Sequence, residues 1–290
     1  MDTSDALARQ TDRIAAAVIS LTATSEIEKN WLQALSALDQ AADQGAEWIQ
    51  LPEMWSFMGD YRYLASVAED DRGKRLQTLC EWAKKRKVVL FCGSLVELPS
   101  QTEDQDNKYY NTLYVIDRDG AVIGKYRKIH LFNLRGKDGQ KSHCESDGYL
   151  AGSHIECIDV DGFKVMLSIC YDLRFGALYT TALNRYGPFD VIVAPSAFTR
   201  YTGEAHWELM LRSRAVEFQC YMFAANQVGD HGNGKQSYGH GMLVDPWGRV
   251  VVSTGSTPSI AHGFIERKKI QEVREQLPAL WNRREDLYGR

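Results

Sequence analysis

The sequence predicts an α/β fold in which two sheets are covered by helices, and three observations carry that expectation. Strand and helix signals alternate along the chain, the strands are many and short, and two helices fall near each end. No Pro/Gly/Ser-rich linker, low-complexity segment or internal repeat interrupts residues 1–290, so a single domain is expected. With 290 residues, 44% of them hydrophobic and 25% charged, the chain can bury a large core. A domain of this size removes roughly three quarters of its unfolded surface from water.

The elements follow in order. Ile14–Leu21 is an apolar run of strand length. Ser25-Glu-Ile-Glu28 has the form of a capping box and predicts a helix with Leu32, Leu35, Leu38 and Ala42 on its buried face, ended by Gly45. Ala46–Leu51 reads as a short strand and Gly73–Arg86 as a second helix. Strands are then expected at Val88–Leu95, Tyr110–Ile116, Ala121–Tyr126, Ile155–Val160, Phe163–Ile169, Val191–Ala194, Met222–Asn226, His240–Val244 and Val250–Ser253. Asp172–Arg185 and Glu204–Phe218 read as helices, with Arg214 and Glu217 paired at i, i+3 on the latter. Asp161-Gly162 and Asp245-Pro-Trp-Gly248 supply turn chemistry. Leu131–His154 is expected to be a long loop, and loops that long are often lids or binding elements.

Composition excludes several classes of function. A net charge of −4 and scattered basic residues leave no footprint for nucleic acid. The one basic cluster, Lys84-Lys85-Arg86-Lys87, suits the solvated last turn of a helix, where cations favour the dipole. No apolar stretch approaches the roughly 18 residues of a membrane span. Met1-Asp-Thr-Ser-Asp lacks the positive start of a secretory signal, so the cytoplasm is the expected compartment. Six cysteines without close pairing predict reduced thiols, and neither they nor the seven histidines show metal-ligand spacing. No metal and no cofactor are expected.

Three strand ends carry reactive groups. The run Phe163–Ile169 stops at Cys170, where a thiol would be held by a rigid element and exposed by the turn Tyr171-Asp172. By itself such a cysteine reads equally as a nucleophile and as a space-filling core residue. Glu53 lies just past the end of Ala46–Leu51, a candidate base, and Lys128 follows Ala121–Tyr126 and supplies a cation. In α/β sheets ligands gather outside the carboxyl ends of strands, so the three can converge although far apart in sequence.

With those residues in view the chain resembles the nitrilase superfamily of carbon-nitrogen hydrolases. Leu51-Pro52-Glu53, Tyr126-Arg127-Lys128-Ile129-His130-Leu131 and Ile169-Cys170-Tyr171-Asp172-Leu173-Arg174-Phe175 are similar to its three catalytic motifs, in the same order. The likeness runs from the strand near Ile14 to Asp286-Leu287-Tyr288-Gly289. Within the superfamily the chain resembles the deaminated glutathione amidases at Cys144-Glu145-Ser146, Pro195-Ser196-Ala197-Phe198, Thr202–Glu208, Ser237–Gly241 and Asp245–Gly248.

The resemblance implies a four-layer α-β-β-α sandwich, a Glu53-Lys128-Cys170 triad and a homodimer or larger assembly whose helices pack across a two-fold axis. It implies that Glu53 is the general base, that Lys128 and a backbone N–H near Tyr171 stabilise the oxyanion, and that Lys128 lowers the Cys170 pKa. Glu145 matches a second glutamate that orients the substrate amine or the lysine. Arg174 is the expected partner of a substrate carboxylate, with an ion pair to Asp172 as the structural alternative. Thr199, Thr202 and His206 fall where the family places specificity residues, although an N-capping Thr and a packing His account equally for the last two.

The expected reaction is hydrolysis of a small acidic amide through a cysteine thioester, with deaminated glutathione cleaved to 2-oxoglutarate and cysteinylglycine. Alternatives are an ω-amidase for 2-oxo acid monoamides, an N-carbamoyl amide hydrolase and a nitrilase. A catalytically silent scaffold of the same fold is the reading outside enzymes. Retention of all three triad residues argues against it.

Overall fold

Strand β1 (Arg13–Ser20) is apolar on both faces: Ala16 and Val18 point one way, Ala17 and Ile19 the other, and all four are buried. Successive strand side chains alternate between faces, so such a strand must be covered on both sides. On one side lie α1 (Ile27–Asp43) and, after β2 (Trp48–Gln50), α2 (Lys74–Arg86). Their Ala34, Leu38, Ala41, Leu76, Leu79 and Ala83 close over Ala17, Ile19 and Ile49. On the other side Ala16, Val18 and Trp48 meet a second sheet. The computed structural model describes residues 12–100, 107–135, 141–232 and 234–288, and Met1–Asp5 and Gly289 lie outside them.

The chain continues through β3 (Val89–Phe91), β4 (Leu95–Glu97), β5 (Tyr109–Ile116), β6 (Val122–Arg127), β7 (Asn133–Arg135), β8 (Lys141–Cys144) and β9 (Tyr149–Leu150). Next come β10 (Cys157–Val160), β11 (Phe163–Leu167), α3 (Gly176–Tyr186), β12 (Val191–Val193), α4 (Arg200–Phe218) and β13 (Tyr221–Ala224). It closes with β14 (Val228–Asp230), β15 (Gln236–Tyr238), β16 (Met242–Val244), β17 (Val250–Ser253), β18 (Ser259–Glu266), α5 (Arg267–Gln276) and α6 (Glu285–Tyr288).

The first sheet has the order β18-β1-β2-β3-β5-β4, with β6 and β9 also paired to β5. The second has the order β10-β11-β12-β13-β16-β17. Each holds a parallel triplet, β1-β2-β3 and β11-β12-β13. The sheets stack through Trp48 on Phe163 and Phe91 on Phe223, both edge to face, with centroids 5.8 and 5.6 Å apart. Leu178, Tyr179, Trp207, Leu211 and Ala215 of α3 and α4 join the same core. The expected four-layer α-β-β-α sandwich is therefore the observed fold. Among the described residues no helix is long and apolar enough to cross a membrane.

Several local expectations change. The capping box at Ser25 does not form: Thr24 Oγ1 accepts from the Glu26 N–H at 3.1 Å, and Asn30 bridges the Thr24 backbone at 2.9 and 2.8 Å. The buried face of α1 rotates accordingly to Asn30, Ala34, Ala37, Leu38 and Ala41, leaving Leu32 67% exposed. The strand expected at Val88–Leu95 breaks in two at Gly93, whose φ is +63° and where a Cβ would sit 2.0 Å from the Pro52 carbonyl. Leu131–His154 contains β7, β8 and β9, and its residues 136–140 lie outside the described ones. The expected helix from Asp172 is a 3₁₀ turn, Cys170–Arg174, followed by α3. The turns at Asp161-Gly162 and Asp245–Gly248 are as expected, with φ of +52° and +78° at the first pair and Asp245 Oδ1 capping Trp247 and Arg249 at 2.9 Å. Lys84, Lys85 and Arg86 form the last turn of α2, and Arg214 pairs with Glu217.

Candidate active site

The two parallel triplets deliver their carboxyl ends to one place. Past β2 the chain turns through Pro52 to Glu53, where the Met54 N–H donates to Ser94 Oγ at 2.9 Å and Gln227 Nε2 donates to the Glu53 carbonyl at 3.0 Å. The close approach of Gly93 to Pro52 is what lets this turn fit. Lys128 follows β6, and its own backbone is fixed by Asn111 O at 2.9 Å and Gly152 N at 2.8 Å. Its ammonium lies between two carboxylates, 2.8 Å from Glu53 Oε1 and 2.7 Å from Glu145 Oε2. Asn111 Nδ2 ties the same carboxylates together at 2.8 and 3.1 Å, and the Phe132 N–H donates to Glu145 Oε2 at 2.7 Å.

Glu53, Asn111, Lys128 and Glu145 are each only 2% exposed. Burying an isolated ion costs several kcal/mol, so ions persist in a core only when paired and hydrogen-bonded, as these are. Burial alone would lower the Lys128 pKa. The charges of Glu145 and Glu53 outweigh that and hold it well above its ordinary value. Two carboxylates to one ammonium leave the cluster with a net negative charge.

Cys170 sits beside it, 7% exposed and lining the pocket. Burial raises its thiol well above the ordinary value and the Glu53 charge adds to this, while Lys128 and the Ala197 N–H pull the other way. Lys128 thus acts on the thiol in the expected direction, but burial wins and the resting group is a thiol. Attack on a carbon centre then requires the proton to leave as the bond forms, and Glu53 is the adjacent acceptor.

The backbone at Cys170 is held by an aspartate. Asp172, fully buried, accepts from the Ile169 N–H at 2.9 Å, Tyr126 Oη at 2.8 Å, the His130 N–H at 3.0 Å and His130 Nδ1 at 2.7 Å. These contacts replace the Arg174–Asp172 ion pair considered from sequence. They fix Cys170 at φ +48°, in the left-handed region. The Cys170 N–H is committed to Pro195 O at 3.0 Å, whereas that of Tyr171, early in the turn, takes no acceptor among the described residues. The Tyr171 N–H is therefore a donor open to an oxyanion, and Lys128 Nζ, whose three N–H groups face Glu53 and Glu145, supplies the neighbouring positive charge.

The pocket has a volume of about 620 Å³. Glu53, Lys128, Glu145 and Cys170 line it together, and its walls include Met54, Met58, Tyr61, Phe132 and Leu134. Thr199 lines it too, and is the N-cap of α4, accepting from the Thr202 N–H at 3.3 Å. Helix α4 accordingly starts earlier than the Glu204 expected. Arg174 and Tyr171 line an adjoining crevice of about 20 Å³ that shares Phe132, Cys170, Ala197 and Thr199 with the pocket. Such a space is near the minimum for one water molecule. His206 is exposed, lines neither space, and meets Arg174 at 3.3 Å through Nδ1.

Sequence reading missed Asn111, the role of Asp172 and the β14–β15 hairpin, which brings His231, Lys235, Gln236 and Ser237 to the pocket. Asp172 alone left a signal, since an acid three residues into a turn can reach back to its first N–H. His231 fastens the hairpin: Nδ1 is 2.7 Å from the Ala23 carbonyl and Nε2 is 2.8 Å from Ser237 Oγ. Nδ1 donates to the carbonyl, burial holds the ring's pKa below 6.5, and in the resulting neutral ring Nε2 accepts from the Ser237 hydroxyl. The unfolded chain therefore takes up a proton first as pH falls. Stability contributed by neutral His231 is present above the unfolded value and declines as pH drops through 6.5, by at most about 1.4 kcal/mol per pH unit. Urea titrations at pH 7.5 and 5.5 should show this decline, reduced in His231→Asn. His262, also lowered by burial, keeps the rest. An identical decline in both proteins would contradict the assignment.

A reactive thiol, a buried ammonium and two carboxylates on this sandwich define a hydrolase of carbon–nitrogen bonds other than peptide bonds. The chain belongs to the carbon-nitrogen hydrolase family of the nitrilase superfamily, whose family model matches residues 13–275. It is 36% identical to the omega-amidase NIT2 of Homo sapiens over 273 residues, which covers 94% of this chain and 96% of the relative. It is likewise 36% identical to the deaminated glutathione amidase of Homo sapiens over 275 residues, covering 94% and 83%. The crystal structure of the C. elegans NitFhit protein superposes with a TM-score of 0.85 at 33% identity, over 96% of this chain and 67% of that one. The protein is an amidase.

Proposed function

We propose that the protein hydrolyses a small acidic amide, with deaminated glutathione as the leading substrate and 2-oxoglutarate and cysteinylglycine as products. The observation that carries this reading is the buried Glu53-Lys128-Glu145 array against the Cys170 thiol at the end of a pocket with room for an extended amide. Cys170 Sγ attacks the amide carbon while Glu53 accepts the thiol proton. The oxyanion forms against Lys128 Nζ and the Tyr171 N–H. Glu53 returns its proton to the departing nitrogen, the C–N bond breaks and a thioester remains. Water then attacks the thioester, giving its proton to Glu53, and the thiol leaves with a proton. Glu145 and Asn111 hold Lys128 and Glu53 in place throughout.

An ω-amidase acting on 2-oxo acid monoamides is the second reading, supported by equal identity to relatives of both names. The test is release of dipeptide or ammonia across a panel of deaminated glutathione, 2-oxo acid monoamides, ureides and nitriles. The first reading expects the highest kcat/KM on deaminated glutathione. A preference for the monoamides selects the second, and a preference for ureides or nitriles overturns both.

We also propose a homodimer formed through α4, where Tyr201, Leu209 and Val216 are 79, 68 and 48% exposed. Sedimentation of the full chain reads this directly, and a monomer at micromolar concentration would contradict it.

A further inference from the structure

Among the described residues three cations line the pocket, and two are matched by carboxylates. Lys128 is held by Glu53 and Glu145, and Arg200 Nε donates to Glu204 Oε1 at 3.0 Å. Lys235 has no carboxylate within ion-pair distance among the described residues. The acid whose charge reaches it, Asp60, is forked by Arg62 through Nε at 3.1 Å and Nη2 at 2.8 Å. Its ammonium makes one hydrogen bond, to the Gly59 carbonyl at 3.3 Å, and lies 5.7 Å from the centre of the Tyr61 ring. An ammonium has three donors, so two remain for the pocket.

The position of Lys235 is built rather than incidental. Its backbone closes the hairpin turn, with the His231 N–H on its carbonyl at 2.9 Å and its own N–H on Gly232 O at 3.1 Å, and His231 pins that turn to Ala23. The ammonium is partly withdrawn from water, and burial pushes its pKa below the ordinary lysine value. A half-buried cation with no counter-ion among the described residues is unfavourable until an anion arrives. The far end of the pocket carries Glu53 and Glu145, which repel a second carboxylate, so an anionic group on a substrate is driven away from the scissile bond toward the unmatched charge. Met54, Met58, Tyr61, Phe132 and Leu134 supply apolar wall to the same pocket.

Arg174 is placed less well for that task. Its guanidinium is engaged by His206 and lies 5.7 and 5.4 Å from the ring centres of Tyr171 and Phe198, on a crevice that adjoins the pocket at Cys170 but has room for little more than one water molecule.

We infer that Lys235 binds the carboxylate of the substrate and so sets the preference for acidic amides. This rests on the amide-hydrolase reading of the same site. The test compares kcat/KM for an acidic amide and its methyl ester in the wild type, Lys235→Met, Lys235→Arg and Arg174→Lys. The wild type should prefer the acid by about 10- to 100-fold, the range expected for one charged hydrogen-bond partner. Lys235→Met should collapse that ratio, chiefly through KM, and Lys235→Arg should restore most of it. If Lys235→Met does not fold, Lys235→Gln, which can keep the Gly59 contact, takes its place. A ratio retained in the neutral variant that folds, or lost in Arg174→Lys alone, overturns the inference. A wild type that cleaves both compounds equally overturns it too, while one that cleaves neither and forms no Cys170 adduct overturns the amide-hydrolase reading instead.

Discussion

Cys170→Ala and Cys170→Ser should both fold and both lose measurable turnover. The side chain faces an existing pocket, so its truncation opens no new cavity in the core. What disappears is the nucleophile. Serine keeps the volume, but an alcohol gives up its proton far less readily than a thiol, and the negative Glu53-Lys128-Glu145 cluster does nothing to help an alkoxide form. Mass spectrometry of the wild type with a slow amide should place the acyl adduct on Cys170. An adduct on Cys144 or Cys220 would sink the assignment, as would turnover in Cys170→Ala. Dialysis against a chelator should leave the wild-type rate unchanged, and zinc-restored activity would contradict the thiol mechanism. A scaffold without catalysis would show neither adduct nor turnover.

Lys128→Met should damage activity and stability together. Turnover should fall by on the order of 10² or more through loss of the oxyanion partner. The fold should lose about 3–5 kcal/mol, because Glu53 and Glu145 would face each other, buried and without their shared counter-ion. Glu53→Gln separates the two effects. Turnover should again fall by on the order of 10² or more, for want of a proton acceptor. Stability should suffer less, since Lys128 keeps its two contacts with Glu145, at 3.0 and 2.7 Å. Urea titration and steady-state kinetics on the same preparations decide. Equal destabilisation by both substitutions would contradict the charge arrangement, and near-normal turnover in either would remove that residue from the mechanism.

The meeting of Glu53, Lys128, Glu145 and Cys170 in one pocket was legible because each stands where a strand ends or inside a compact motif. Asn111 was not, since it lies within β5 among apolar neighbours and nothing in its spacing marks a polar residue that joins two distant carboxylates. The hairpin carrying Lys235 was hidden by its composition: a turn rich in glycine reads as loop, and β14 and β15 have three residues each. Strand β18 escaped for a different reason. It pairs with β1 along its full length, yet most of its side chains are only half covered, so no apolar run or clean alternation announces it. In α5 just Ile270 and Val273 are buried, and a helix held by two residues leaves little periodicity to read. Leu32 misled in the opposite sense: the helix phase is set by Asn30 hydrogen-bonding back to Thr24, a polar contact invisible to any count of apolar spacing.

The left-handed backbone at Cys170 has a consequence for how such a protein changes over generations. A side chain with a Cβ is disfavoured there by roughly 1–2 kcal/mol, and only glycine escapes. Folding and chemistry thus ask for different residues at one position. In a lineage selected for heat resistance alone, with no demand for the reaction, glycine at 170 would be favoured, and the enzyme would fall silent while its architecture grew sturdier. Persistence of cysteine at that point in an evolving population is therefore a sign that the reaction itself is under selection.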